Sequence, residues 1–456
     1  MKTPMPPPPW RETMNELLAT DARGAFVDIL MSPIDDSAYL HWDKLRFKTP
    51  PEGFTHKTWW LRLKLSRSEQ KRSIPLRDNQ GSQFHYVLTD ELLIRCESVT
   101  RRASGQISLP EHITSTGEKN RYIVNSLIEE AITSSQLEGA ATSRRVAKQM
   151  IRSGREPVDK SERMILNNYR AMKRIQEIRD QPLTPDLILE IHRIVTDGTL
   201  DDPADAGRVQ TDQSERISIW GDEEQFLYTP PLVHELPGRL QLLCTFANGT
   251  LGDIPYLPPP LRAIIVHFMM GYDHYFVDGN GRTARALFYW CMLHNGYWLT
   301  EYVTISRLLK NAPTQYATSF LLTEDDEGDL THFLLYHTGI FLRALDDLET
   351  YLRHKATEAR AVRVALNTGV TEFNDREIAI LDSAVRDPDS EFSVRGHMVS
   401  HSVSHETARK DLQHLQDRGL LRKSKRARSF IWHPVADLGE QLNNVPTGVQ
   451  TIGGDR

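Results

Sequence analysis

Cysteine is scarce. Three residues in 456, at positions 96, 244 and 291, are too few and too scattered for a disulfide framework or a paired CxxC metal site. A reducing cytoplasm is the simplest home for such a chain. Long apolar runs are missing as well. The best, around Ala263–Met270, falls far short of the roughly 20 residues of a membrane helix and contains His267. The opening MKTPMPPPPW has no apolar core of the kind a signal peptide carries. Neither charge sign dominates: 55 Lys+Arg stand against 61 Asp+Glu, a net charge of −6. That balance argues against a chain built to coat nucleic acid or an anionic membrane. Internal repeats are absent, and the one low-complexity stretch is the proline run Pro6–Pro9, which reads as an extended tail. What remains is a water-soluble balance, 39% hydrophobic and 25% charged, in a chain long enough for two to four domains.

The region up to about residue 119 is mixed. Thr55 can cap a helix through Trp59, Trp60, Leu63 and Leu65, and Gln83–Leu88 looks strand-like. From about Asn120 the pattern is helical. Ile123, Leu127, Ile128, Ala131, Ile132 and Ser135 share one face of a helix that stops at Glu138–Gly139. Helices follow at Ser143–Ser153, Lys160–Glu177 and Thr184–Thr196, the last announced by a cap and a first-turn proline. Between 201 and 231 the helical pattern breaks. Gly207–Val209 and Ile217–Trp220 alternate like strands, and Tyr228-Thr229-Pro230-Pro231 follows, which predicts a short hairpin or flap. Helices resume at about Pro231–Ala247, Pro259–Asp273, Arg282–Asn295, Ile305–Leu322 and from Asp329 into the 350s, with a hinge expected at 357–372. Beyond it, helices from Asn374, at Val394–Val399 and from Ser404 precede a strand-like Leu420–Trp432, the outline of a winged helix.

The chemistry concentrates in His274-Tyr-Phe-Val-Asp278-Gly-Asn-Gly-Arg282-Thr-Ala-Arg285. A glycine-rich turn that opens a helix presents backbone N–H groups with no intrahelical partner, at the positive end of the helix dipole. Gly279 and Gly281 let a phosphate come close and allow positive φ, and Asn280 adds an amide donor. Arg282 and Arg285, three apart, can point back at the same phosphates. Asp278 is placed to hold Mg²⁺ beside a polyphosphate, and His274 has the ordinary pKa for taking a proton from an attacking hydroxyl. His267 and His274, seven apart without HExxH or CxxC, do not make a zinc site.

These residues resemble the Fic family signature HPFxxGNGRxxR, which carries Asp before the first Gly. The chain agrees at His274, Phe276, Asp278, Gly279, Asn280, Gly281, Arg282 and Arg285 and departs at Tyr275, where the family has Pro. The resemblance implies a Fic-fold helical core over about 120–365 that moves AMP from ATP to a hydroxyl side chain of a target protein. In that reading His274 is the general base and Asp278 the Mg²⁺ ligand. Gly279, Asn280 and Gly281 form the anion hole, Arg282 and Arg285 hold phosphates, and Phe276 anchors the loop. Tyr228, Thr229 and Pro230 resemble the target-docking flap, and Tyr316 is a candidate for the adenine pocket. The intact Gly-Asn-Gly favours AMP transfer over the kinase-like branch of the superfamily.

Upstream, Ser134-Ser-Gln-Leu-Glu138-Gly139 fits the family's inhibitory-helix pattern [S/T]xxxE[G/N]. The resemblance implies that Glu138 pairs with Arg285 and occupies the room of the ATP γ-phosphate. In some relatives the same glutamate assists AMP removal, so de-AMPylation is a second expected activity. The expected organisation is an N-terminal region 1–119, an inhibitory segment 120–155, a catalytic core 156–365, a winged helix 371–435 and a tail 436–456. The fold class is therefore mainly α, with a short β-hairpin flap and a C-terminal winged helix. Eight basic against three acidic residues between His401 and Phe430 reverse the overall charge, so DNA is a candidate partner for 371–435. The rival reading is a DNA-binding regulator whose core senses nucleotide. Other expectations are a protein target, no membrane, and a second copy of the chain as a candidate partner.

Overall fold

The apolar run 263–270 becomes the centre of the molecule. A computed structural model describes residues 3–19, 23–106, 116–212, 216, 219–220, 226–252, 255–367, 373–386, 390–426 and 429–443. In it, helix Pro259–Asp273 starts with two prolines in its first turn and is buried on nearly all sides, as an all-apolar helix must be. Helix Asn280–His294 is likewise buried all round and packs along it. Helices Lys160–Glu177 and Pro185–Thr196 cover the second of these, and Leu236–Ala247 covers the first. The short link 274–279 between the two central helices is the glycine-rich motif. The sequence motif therefore sits where two buried helices turn.

Local chemistry explains most boundaries. Thr184 accepts from the Leu187 N–H at 3.2 Å with Pro185 behind it, and Ser143 caps Arg144–Ser153. Helix Thr116–Leu137 ends where Gly139 takes φ +91°. The single helix expected at 305–322 is two, Ile305–Asn311 and Pro313–Asp325, because Pro313 has no N–H to continue the ladder. The last long helix, Thr331–Asn367, runs through most of the expected hinge, since 357–367 contains no glycine or proline; 368–372 lie outside the described residues. Gly207–Val209 is not a strand. Its glycine turns at φ +73° and its N–H bonds to His192 Nδ1. The flap is a two-stranded antiparallel hairpin of Ile219–Trp220 and Phe226–Tyr228. The expected strand residues 217–218 lie outside the described residues.

Residues 1–108 belong to the same compact unit as 122–346. Helix His56–Gln70 carries the expected Thr55 cap, with Thr58 returning the hydrogen bond. The strand Gln83–Val87 pairs with Lys71–Arg77, a strand hidden in the sequence by its charges and Pro75. Helices Trp10–Ala19, Arg23–Met31 and Asp90–Arg101 also lie in this region. His85 exchanges backbone hydrogen bonds with Gly328 and Leu330 of the core.

The second unit, 109–121 with 347–456, holds helices Asp375–Arg386, Val394–His401 and His405–Asp417 and the hairpin Leu421–Arg426/Ser429–Pro434. Leu381, Leu412, Leu415 and Trp432 form its core. Leu438 and Leu442, four apart, close that core from a helix Leu438–Asn443 inside the segment expected to be a tail. Asp411 of the third helix accepts from Arg376, Asn374 and His397 and so joins the three helices.

Candidate functional site

The site begins with backbone strain. His274 follows the buried helix in a left-handed conformation, φ +49°, which is uncommon for a residue with a Cβ. Its carbonyl accepts from Arg216, which also donates to the carbonyls of Asp273 and Pro231 and to Gln210. Burial is the largest influence on the imidazole of His274 and lowers its pKa, outweighing a hydrogen bond to Gly271 that raises it. The ring is therefore neutral at physiological pH, the form that accepts a proton.

Tyr275 replaces the proline of the resembled signature, and the structure gives it a use. It is fully buried, and its hydroxyl donates at 2.6 Å to Asp273, itself buried and paired with Arg239 at 2.8 Å. Without these partners Asp273 would be an uncompensated charge beneath the motif. Phe276 is also fully buried and stacks on the ring of His192, with centroids 3.7 Å apart and planes at 10°.

In the turn itself, Gly279 takes φ +86°, and a Cβ there would stand 2.7 Å from Thr196 Cγ2. Gly281 has no such backbone demand. It is glycine for space, since a Cβ would lie 2.2 Å from Glu138 Oε1. Asn280 uses its side-chain oxygen and one of its two amide N–H groups on the turn. Its side chain brackets Phe276, donating to the carbonyl at 2.7 Å and accepting from the N–H at 3.0 Å. The first backbone N–H groups of helix Asn280–His294 have no intrahelical partner.

The two arginines differ. Arg282 is fully buried; it donates to the Val195 carbonyl at 3.1 Å and to the Asp278 carboxylate at 3.3 Å, and burial lowers its pKa. Arg285, equally buried, turns to the helix upstream. It donates to Ser134 Oγ at 2.7 Å, to the Ser134 carbonyl at 3.0 Å and to Glu138 Oε1 at 2.7 Å. Burial alone would lower its pKa, but the Glu138 carboxylate raises it. Glu138 stands on the C-terminal edge of helix Thr116–Leu137, directly over Gly281. Asp278 is half-exposed, with one oxygen accepting from the Gly279 N–H at 2.5 Å. Tyr316 shares its hydroxyl with His267 Nε2 at 2.8 Å, and burial raises its pKa to about 12.

Of the flap residues, Thr229 is exposed and Pro230 buried; the side chain of Tyr228 lies outside the described residues. Asn79, in the turn of the N-terminal hairpin, donates to the Thr229 carbonyl at 3.1 Å. Sequence reasoning missed His192, Arg216, Arg239 and Asn79. A histidine on the apolar face of an amphipathic helix and arginines in loops carry no local signal of these partners.

One group outside the turn brings possible metal ligands together among the described residues: Asp326, Asp329 and His332. Lys64 already places its ammonium 2.7 Å from Asp326, and Tyr39 and Thr331 donate to Asp329. A cation is thus already built into this cluster.

Residues 182–292 match the model of the Fic/DOC family. The chain is 33% identical over 112 residues to the protein adenylyltransferase fic-1 of Caenorhabditis elegans, covering 25% of this chain and 20% of that protein. The chain therefore spans only about a fifth of that relative. Its fold is similar to that of a Fic family protein from Desulfovibrio desulfuricans G20, with a TM-score of 0.51 at 14% identity, covering 77% of this chain and 98% of the other. Residues 182–292 thus resemble a Fic/DOC domain, within a mainly helical fold similar to that of a Fic family protein.

Proposed function

We propose that this Fic-domain chain is a self-inhibited protein adenylyltransferase, which moves AMP from ATP to a Tyr, Thr or Ser hydroxyl of a protein, itself included. The observation that carries the reading is the stacking of Glu138, Gly281 and Arg285. A carboxylate stands 2.2 Å from where a Cβ on Gly281 would be and holds the arginine on the next helical turn. An acidic group at a helix N-terminus beside a buried arginine occupies a site suited to an anion. A phosphate brings the same charge and bidentate geometry, so the two compete for Arg285.

The chain's own groups then have distinct work. Backbone N–H groups at the start of helix Asn280–His294 receive phosphate oxygens and the charge that builds during transfer. Neutral His274 takes the proton of the attacking hydroxyl as the new P–O bond forms and the bond to pyrophosphate breaks. Asp278, half-exposed at the mouth of the turn, has the carboxylate that Mg²⁺ takes beside a polyphosphate, and the ion would neutralise phosphate charge there. The flap 228–230 supports the target segment, in the manner of an added strand. Tyr316, adjacent to Arg285, is the candidate neighbour of the adenine. The chain works as a soluble protein in the cytoplasm.

The test is transfer from ATP labelled at the α- or the γ-phosphate. The full chain carrying Glu138→Gly is expected to retain the α-label on protein and none of the γ-label. Retention of the γ-label would make the reaction phosphoryl transfer and overturn the reading.

A further inference from the structure

The glycine-rich turn is gripped from behind by a residue that no motif includes. His192, on helix Pro185–Thr196, is buried, and all parts of its ring are engaged. Its Nδ1 accepts from the Gly207 N–H at 2.9 Å, so in a neutral ring Nε2 must carry the proton. Nε2 stands 2.8 Å from the Asp278 carbonyl and donates to it. The face of the ring lies on Phe276, and its edge lies 3.2 Å from where a Cβ on Gly279 would stand. One side chain thereby touches three consecutive features of the turn: the Phe276 anchor, the Asp278 carbonyl and the left-handed Gly279.

We propose that His192 is a positioning residue for adenylyl transfer: by clamping the Asp278 carbonyl it sets the direction of the Asp278 carboxylate and of the N–H groups that follow. The proposal rests on the function given above for its activity arm and on the geometry alone for its structural arm. The Asp278 peptide leads directly into Gly279, whose φ lets the turn adopt more than one pose once released. The clamp removes that freedom before ligands bind, and misplacement by about 1 Å is enough to cost transfer rate.

The test uses the full chain in the Glu138→Gly background. His192→Phe keeps a ring against Phe276 and loses both nitrogens. His192→Gln keeps an amide donor for the carbonyl. The Phe variant is expected to lose about tenfold in kcat, the worth of one hydrogen bond at a fixed group, and to need more Mg²⁺ for half-maximal rate, with KM for the protein target unchanged. The Gln variant is expected to recover most of both. Equal losses in the two variants that follow their loss of melting temperature would overturn the proposal, as would an unmoved Mg²⁺ requirement.

Imidazole ¹⁵N–¹H resonances of the full chain supply the second arm. Near neutral pH, His192 is expected as the Nε2–H tautomer with an unprotonated Nδ1. An Nδ1–H tautomer or a charged ring would overturn the clamp whatever the activity. If the Glu138→Gly parent itself transfers no label, the adenylyltransferase reading fails, and the tautomer still decides the clamp.

Discussion

Two of the cation–carboxylate pairs among the described residues are built differently. Lys64 and Asp326 join the N-terminal region to the core, with side chains only 6% and 1% exposed. Arg285 and Glu138 join the glycine-rich turn to the helix upstream, with side chains 2% and 28% exposed. The first pair is sealed. Burial would raise the Asp326 pKa, but Lys64 and His332 hold it well below the usual carboxylate range. The second is open on its acidic side. Arg285 has two further bonds to Ser134 besides its bond to Glu138, and the carboxylate is partly exposed at the helix end. A pair buried on both sides acts as a permanent joint. A pair with one accessible, replaceable member is suited to exchange with a ligand of the same charge.

Perturbing the two pairs should therefore give opposite signatures. The largest effect on chemistry is expected outside both. Adding His274→Ala to Glu138→Gly should lower labelling by about 10²–10⁴-fold, the usual worth of a general base, in an α-labelled ATP assay. Next comes the sealed pair. Lys64→Met leaves a buried carboxylate without its cation and should cost about 3–5 kcal/mol in denaturant unfolding, with labelling per folded molecule unchanged. Glu138→Gly should do the reverse. It should raise labelling by about 10–100-fold, the worth of a charged hydrogen bond of about 1.5–3 kcal/mol, and move the unfolding midpoint much less than Lys64→Met. Ser134→Ala removes one of three bonds on Arg285 and should raise labelling by about fivefold or less.

The sealed pair and the proposed base also separate by pH. Asp326 has a depressed pKa in the folded state, so its stabilising effect is full above the unfolded value of about 3.9 and declines as pH falls below it. His274 has a lowered pKa, and its neutral form is the active one. Labelling should be flat near neutrality and fall with acid at a midpoint below the ordinary imidazole value of about 6.5. A midpoint above that value would contradict the neutral-base role.

Much of the site was legible because its signals are local. The turn 278–281, the helix it opens and the stop at Gly139 lie in short windows of sequence. The face shared by Ser134 and Glu138 follows from helical spacing. What the sequence could not show depends on distant partners. Tyr275 looked like a departure from a pattern; only the fold shows Asp273 waiting for its hydroxyl. The sequence could not show that the Asn280 side chain would also bracket Phe276 within the turn. In the N-terminal region, the strand Lys71–Arg77 follows from pairing with Gln83–Val87, not from its own composition. The helix Leu438–Asn443 is too short to announce itself without the core its leucines close.

The central claim is that the Glu138–Arg285 contact is a replaceable brake on transfer by His274. It is tested most directly by incubating the full chain with α-labelled ATP and Mg²⁺ in three forms: wild type, Glu138→Gly, and Glu138→Gly with His274→Ala. The account predicts weak, strong and no labelling in that order. Equal labelling of the first two forms, or undiminished labelling of the third, would contradict it.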